Sequence, residues 1–287
     1  MEIVDRSIHL DLGNVRYSIT GESSNLIVLM HGLTTSKDIF DELTEKLVNE
    51  GFQVLAFDFY GRGESDHIQP VESELIYAEQ AVELIENFIP YGKKRKMHIL
   101  GYSAGGAIAS RVAAIMGQYA SSLTLIASSG IPSVPKSEIL IKTLENIYRN
   151  DEINEKMIDE VKKLMFEEIE LIDNKNMRSK LQNVMNDEDF LNHDTIQTIR
   201  AHINATGGYV GEHSINEVFQ EINEQKIPTL IMTGLNDNWI NPECGREIKK
   251  IIESAQLLEY EGVSHWAFLE KPDMYFKDIK KFLDTTE

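Results

Sequence analysis

A single cysteine, Cys244, in 287 residues rules out an intrachain disulfide and any zinc site built from several thiolates. Basic residues are scarce as well: 28 lysines and arginines stand against 47 aspartates and glutamates, a formal net charge of -19. A surface of that sign repels phosphate backbones and anionic bilayers, so no nucleic acid is expected as a partner and neutral or cationic ligands are favoured. Long apolar runs are missing too. Leu26-Ile27-Val28-Leu29-Met30 is far shorter than the roughly 20 residues a membrane span needs, and no stable membrane insertion is expected. The opening MEIVDRSIHLDLG puts acids where a signal peptide needs a basic start and an apolar core. Together with the lone cysteine, this makes a cytoplasmic location the expectation. No repeat or low-complexity tract interrupts a composition ordinary for a globular protein.

What the chain does have is alternation. Patterns over 3–12 and 15–19 predict an opening hairpin with Gly13-Asn14 as its turn. Compact apolar runs at 26–30, 54–57, 97–100 and 123–127 have the character of strands buried on both faces of a parallel sheet. Helical patterns lie between them. Ser36 is placed to cap a helix in which Phe40, Leu43 and Leu47 share a face and which Gly51 stops; a second runs over 75–89 up to Pro90. Strand alternating with helix means a doubly wound α/β sheet.

After SSGIPSVP the pattern breaks. From about 136 to 224 apolar residues return only at helical spacing, as in Ile153, Met157, Val161, Leu164 and Met165, then Ile196, Ile199 and Ile203 before Gly207-Gly208. Strands then resume at 227–232 and 257–260, with helices near 243–252 and 272–283. Three segments follow: a core over 1–132, a helical insertion over 133–225 and the rest of the core over 226–287. An insertion that leaves and rejoins the sheet at its carboxyl edge is well placed to roof a site there.

The chemistry starts at GYSAGG, where Ser103 sits between glycines at the junction of a buried strand and a helix of small residues. Two readings stand: a helix start with a capping serine, or a nucleophile elbow that holds the serine in a strained turn. Serine is a weak nucleophile without a base, and the base needs a third group to fix its tautomer. Later strand ends offer both. TGLNDNWINP carries Asp237 and YEGVSHWAFLEKP carries His265, in the chain order Ser, Asp, His that such a sheet requires. A competing role for Asp237 is to cap a turn before Pro242.

With these segments in hand, the chain resembles the α/β-hydrolase fold enzymes over nearly its whole length. LMHGLTTS resembles the family's oxyanion loop, FDFYGRGESD its D-x-x-G-x-G-x-S loop, LGYSAGGAIA its elbow, GLNDNWINP its acid loop and SHWAFLEKP its H-x-x-x-x-E-x-P ending. Within the family, HGLTTSKDIFDELTEKLVNEGFQVLAFDFYGRGESD is most similar to the monoglyceride-lipase and lysophospholipase-like esterases. One departure is Ser264, where many relatives have glycine.

The resemblance implies an α/β-hydrolase fold: a mostly parallel, doubly wound, eight-stranded sheet with a helical cap inserted after the sixth strand. It also implies acyl transfer with Ser103 as nucleophile, His265 as base and Asp237 as its orienting acid. The backbone N–H groups of Leu33 and Ala104 are the expected oxyanion donors. No metal or organic cofactor is implied. His31 is assigned to support of the oxyanion loop and counted, with Thr34, Tyr102, Trp239 and Trp266, among candidate pocket residues. For the two tryptophans ordinary packing is the competing reading. Asp58 is read as a loop-shaping residue, Asp194 as the cap of a helix at Thr195, and His193, His202 and His213 as lacking the paired spacing of a zinc site.

The expected substrate is a small, uncharged, partly apolar acyl ester, of the small-acyl or monoacylglycerol type, and the expected assembly is a monomer or homodimer. Two rivals remain. One is hydrolysis of a thioester, an amide or a carbon–carbon bond on the same triad; the other is a slow-turnover ligand sensor that signals to a protein partner.

Overall fold

A computed structural model describes residues 2–68, 75–89, 96–131, 142, 155–172, 174–186 and 215–286. Eight strands, β1 (Asp5–Leu10), β2 (Gly13–Thr20), β3 (Asn25–Met30), β4 (Gln53–Phe57), β5 (Lys96–Tyr102), β6 (Ala120–Ile126), β7 (Thr229–Gly234) and β8 (Gln256–Tyr260), form one sheet in the order β1-β2-β4-β3-β5-β6-β7-β8. β2 runs antiparallel to both β1 and β4, and every other pairing is parallel. The mostly parallel eight-stranded sheet is therefore present.

Alternation within each strand explains the two layers of helices. On β3, Leu26, Val28 and Met30 face a core shared with α2 (Ile76–Phe88), α3 (Ala104–Met116) and the later helix 216–224, while Ile27 and Leu29 face a second core on the other side. That second core is built from α1 (Asp41–Asn49) and residues of the chain's last helices, with Met165, Ile169, Ile172, Met177 and Leu181 packed into it. These five side chains belong to α4 (Glu155–Ile169), its exit turn and α5 (Lys175–Asn186), which lie within the expected insertion. Their apolar stripe is thus what seats α4 and α5 on the core. Polar ties add to it: Lys180 Nζ lies 2.9 Å from Asp41 Oδ2, and Asn174 Nδ2 donates to Glu42 Oε2 at 3.2 Å.

Three expectations change in detail. The hairpin turns at Asp11-Leu12, because Leu10 pairs with Gly13 and Asn14 is occupied by Asp66, whose Oδ2 accepts both its N–H and its Nδ2. Ser36 makes no capping bond; its hydroxyl donates to Asp38 at 3.3 Å, and a 3-10 turn, Lys37–Phe40, precedes α1. α6 (Asn216–Glu224) falls within the expected insertion, yet Phe219 and Ile222 are buried in the first core, and Ile215 N–H donates to Gly130 O at 3.1 Å. α6 thus packs on the first core from inside the expected insertion bounds. The stripes at Ile153 and at Ile196, Ile199 and Ile203, the Gly207-Gly208 break, Asp194, His193, His202 and His213 lie outside the described residues. Among the described residues, no helix is long and apolar enough to cross a membrane.

The remaining helices among the described residues are α7 (Glu243–Ile251), α8 (Ala267–Glu270) and α9 (Pro272–Thr285). β5, β7 and β8 end in the loops that carry Ser103, Asp237 and His265, all at the carboxyl edge of the sheet.

Candidate active site

Ser103 joins β5 to α3 with φ 56° and ψ -124°, a region that non-glycine residues avoid at a cost of roughly 1–3 kcal/mol. Its neighbours make the turn that tight. A Cβ on Gly105 would stand 2.3 Å from both the Met30 and His31 carbonyl oxygens, and one on Gly101 would stand 2.3 Å from Gly105 O. The turn is clamped from the other side as well, since the Ser103 carbonyl accepts the N–H groups of Gly106 at 2.9 Å and Ser129 at 3.1 Å.

The three residues expected as nucleophile, base and acid meet at hydrogen-bond distance. His265 Nε2 is 3.0 Å from Ser103 Oγ, and His265 Nδ1 is 2.8 Å from Asp237 Oδ2. A carboxylate only accepts, so Nδ1 carries the proton and Nε2 is left to accept from the serine hydroxyl. Asp237 is fully buried, and its Oδ1 accepts the N–H groups of Trp239 and Ile240, each at 2.8 Å. It thus caps its own turn and also holds the histidine. Burial works against the imidazolium, but the attraction of Asp237, Glu168 and Glu270 outweighs it and keeps the His265 pKa above its ordinary value.

The departure at Ser264 is accommodated. Its backbone is not in the left-handed region, its N–H donates to Glu270 Oε1 at 3.2 Å, and its hydroxyl also donates to that carboxylate. Tyr102 Oη donates to the His265 carbonyl at 3.0 Å, so the histidine loop is held at the residue itself.

On the expected oxyanion side, Ala104 opens α3, where first-turn N–H groups have no intrahelical acceptor. The peptide that carries the Leu33 N–H has its carbonyl on Gly32. His31 Nδ1 is 2.7 Å from that oxygen, while Phe59 N–H donates to His31 Nε2 at 3.0 Å. Because a backbone N–H only donates, the tautomer is fixed with the proton on Nδ1, pointing at Gly32 O. Burial takes the His31 pKa down to about 3, so the ring stays neutral in this double role. His31 is therefore not a pocket residue: it lies beneath the loop with both nitrogens committed to backbone. Arg62 Nε donates to the Leu33 carbonyl, and Asp58 Oδ1 accepts the Lys37 N–H at 2.7 Å, which holds the same loop from further along.

Leu33, Thr34, Tyr102, Trp239 and Trp266 line the cavity over Ser103 and His265, with Met165 reaching in from α4. Trp239 stacks on the His265 ring, with centroids 5.9 Å apart and planes at 26°. Apart from the histidine, no ionisable side chain except the Tyr102 phenol is among the described lining residues. Met165 and the buried acid Glu168 were missed by the sequence reading. The available signal was an acid on the apolar side of a helical stripe, three residues after Met165. Cys244 is buried beside the Ser128 carbonyl. No group of three or more His, Cys, Asp or Glu among the described residues could hold a metal ion.

A family described as Hydrolase_4, serine aminopeptidase, S33, matches residues 21–272. The chain belongs to it. This α/β-hydrolase is 28% identical to Lipase 1 of Psychrobacter immobilis, over 99% of its own length and 82% of the lipase. It is 27% identical to 2-hydroxy-6-oxononadienedioate/2-hydroxy-6-oxononatrienedioate hydrolase 1 of Pseudomonas putida, over 96% and 93% of the two chains. The crystal structure of the enol-lactonase from Burkholderia xenovorans LB400 superposes with a TM-score of 0.76 at 17% identity, covering 97% of this chain and 100% of that one. At that identity the structural likeness concerns the fold alone.

Proposed function

We propose that this α/β-hydrolase cleaves an uncharged carboxylic ester through an acyl-enzyme on Ser103. The observation that carries the reading is the unbroken relay from Ser103 Oγ through His265 to Asp237, opening on a mainly apolar cavity. Ser103 Oγ attacks the ester carbonyl carbon while His265 Nε2 takes its proton. Asp237 stabilises the imidazolium, and the backbone N–H groups of Leu33 and Ala104 receive the oxyanion. His265 then protonates the leaving alkoxide. Water, deprotonated by the same histidine, releases the acid and restores the serine.

A second reading, hydrolysis of a carbon–carbon bond, is favoured by the likeness to the Pseudomonas putida hydrolase. Its dioate substrate would call for cations, and the described lining supplies none, which supports the uncharged ester instead. The test is steady-state hydrolysis of p-nitrophenyl esters from acetyl to long acyl chains, with Ser103→Ala in parallel. Chain-length-dependent turnover lost in the variant is the expected result. Retention of activity by a folded Ser103→Ala would remove the nucleophile assignment, and a burst without turnover would point to the sensor or to another bond.

A further inference from the structure

Glu168 lies in α4 with only 5% of its surface exposed. It follows the pocket residue Met165 by three positions and precedes the fully buried Ile169, so it occupies the helix face that packs on the core. A carboxylate in such a place needs donors around it. Two are present: Trp239 Nε1 donates to Oε2 at 2.6 Å, and Asn238 Nδ2 donates to Oε1 at 3.2 Å. Both belong to the residues directly after Asp237. Trp239 is in turn the ring stacked on His265, and its backbone N–H is bonded to Asp237. One buried acid therefore ties the helix that lends Met165 to the cavity to the loop that carries Asp237.

We infer that Glu168 is a positioning residue: through Trp239 and Asn238 it locks α4 to the acid loop, sets the cavity wall above His265 and adds a buried negative charge beside that ring. Trp239 is half-buried, and Glu168 is the acceptor that fixes its indole N–H at 2.6 Å, so removing the carboxylate takes away the bond that holds the ring in this orientation. The charged groups facing His265 are Asp237 from the acid loop, Glu168 from α4 and Glu270 from α8, and those facing Glu168 are His265 and Asp237. Glu168 thus adds to the attraction that favours a protonated His265. Burial raises the Glu168 pKa, and the donated bonds and the histidine oppose that rise.

The kinetic part of this inference rests on the ester-hydrolase reading; the structural part does not, and the test separates them. Glu168→Gln and Glu168→Ala are made in the full chain. Three quantities are measured: the His265 titration by imidazole NMR, assigned with His265→Ala; the Trp239 indole N–H resonance, assigned with Trp239→Phe; and kcat and KM for a p-nitrophenyl ester against pH. Glu168→Gln keeps an acceptor for Trp239 but removes the charge. It is expected to leave the indole resonance near its wild-type position while lowering the His265 pKa, so that the acid limb of kcat/KM moves to lower pH. Glu168→Ala is expected to shift the indole resonance upfield and reduce kcat/KM by roughly ten- to a hundredfold. If Glu168→Ala fails to fold, the isosteric Gln variant still decides through the histidine titration.

A change in thermal stability alone, with the His265 titration and the Trp239 resonance both unmoved, would overturn the inference. Should no ester be turned over even by wild type, the function proposal fails, and the two NMR readouts still judge Glu168 without a substrate.

Discussion

Burial and charge act on His265 in opposite directions, and the net result sets the enzyme's working range. In the proposed mechanism only the neutral imidazole takes the serine proton, so activity should be lost as pH falls through the His265 pKa. That pKa is held above the ordinary value of about 6.5, and the acid limb of kcat/KM is expected correspondingly above it. A pH–rate profile checks this; a limb at or below the ordinary value would contradict the carboxylate environment described. In the proposed mechanism Asp237 works by fixing a tautomer of His265. Asp237→Asn should keep the fold, because its amide can still accept the Trp239 and Ile240 N–H groups, yet lower kcat by about 10⁴ by favouring the wrong tautomer. Near wild-type turnover in that variant would redirect the acid role elsewhere. The candidate nucleophile, base and acid were legible at this scale because chain order and flanking strands restrict the choices. His31's fixed tautomer was not, since its partner Phe59 comes from a different loop.

At the scale of elements, the strand-turn-helix around Ser103 depends on the absence of side chains. Gly105→Ala would drive a Cβ to 2.3 Å from two carbonyl oxygens of the β3 end, backbone atoms that cannot swing away. A loss of more than about 3 kcal/mol is expected, measurable by urea denaturation, with misalignment of the oxyanion loop in whatever remains folded. An alanine variant as stable as wild type would mean that β3 and α3 are less closely apposed than described. Helix and strand periods made most elements readable from the sequence. Their ends were less so: Asp66, Asp38 and Gly130 moved a turn, a cap and the seating of α6, and each acts from outside the element it alters.

At the scale of the whole fold, two histidines among the described residues have pKa values lowered chiefly by loss of solvent, His31 to about 3 and His98 to about 4. The unfolded chain protonates them at about 6.5, so their contribution to stability is complete above that pH and is lost as pH falls toward 4. At pH 5 each costs on the order of 2 kcal/mol. The raised pKa of His265 works in the opposite direction, its pairing stabilising the fold at low pH and fading as pH rises through its folded value. The acids whose pKa burial raises, Asp41, Asp58, Glu168 and Glu270, act in the same direction as His265, so the share of a buried neutral histidine is read by difference. As pH falls from 6.5 to 4 the urea midpoint should change less favourably in wild type than in His98→Asn; equal slopes in the two would remove His98 from the account.

The sequence by itself determined the alternation of strand and helix, the glycines that permit the elbow and the chain order of Ser103, Asp237 and His265. These follow from sterics and apolar periods that act over a few residues. Only the tertiary structure decided that Glu168 meets Trp239, 71 residues away, that His31 points its proton at Gly32, and that α6 packs on the first core. Contacts of that kind depend on where packed elements come to rest, and the surface acids of an acidic helix look alike in sequence until one of them is buried.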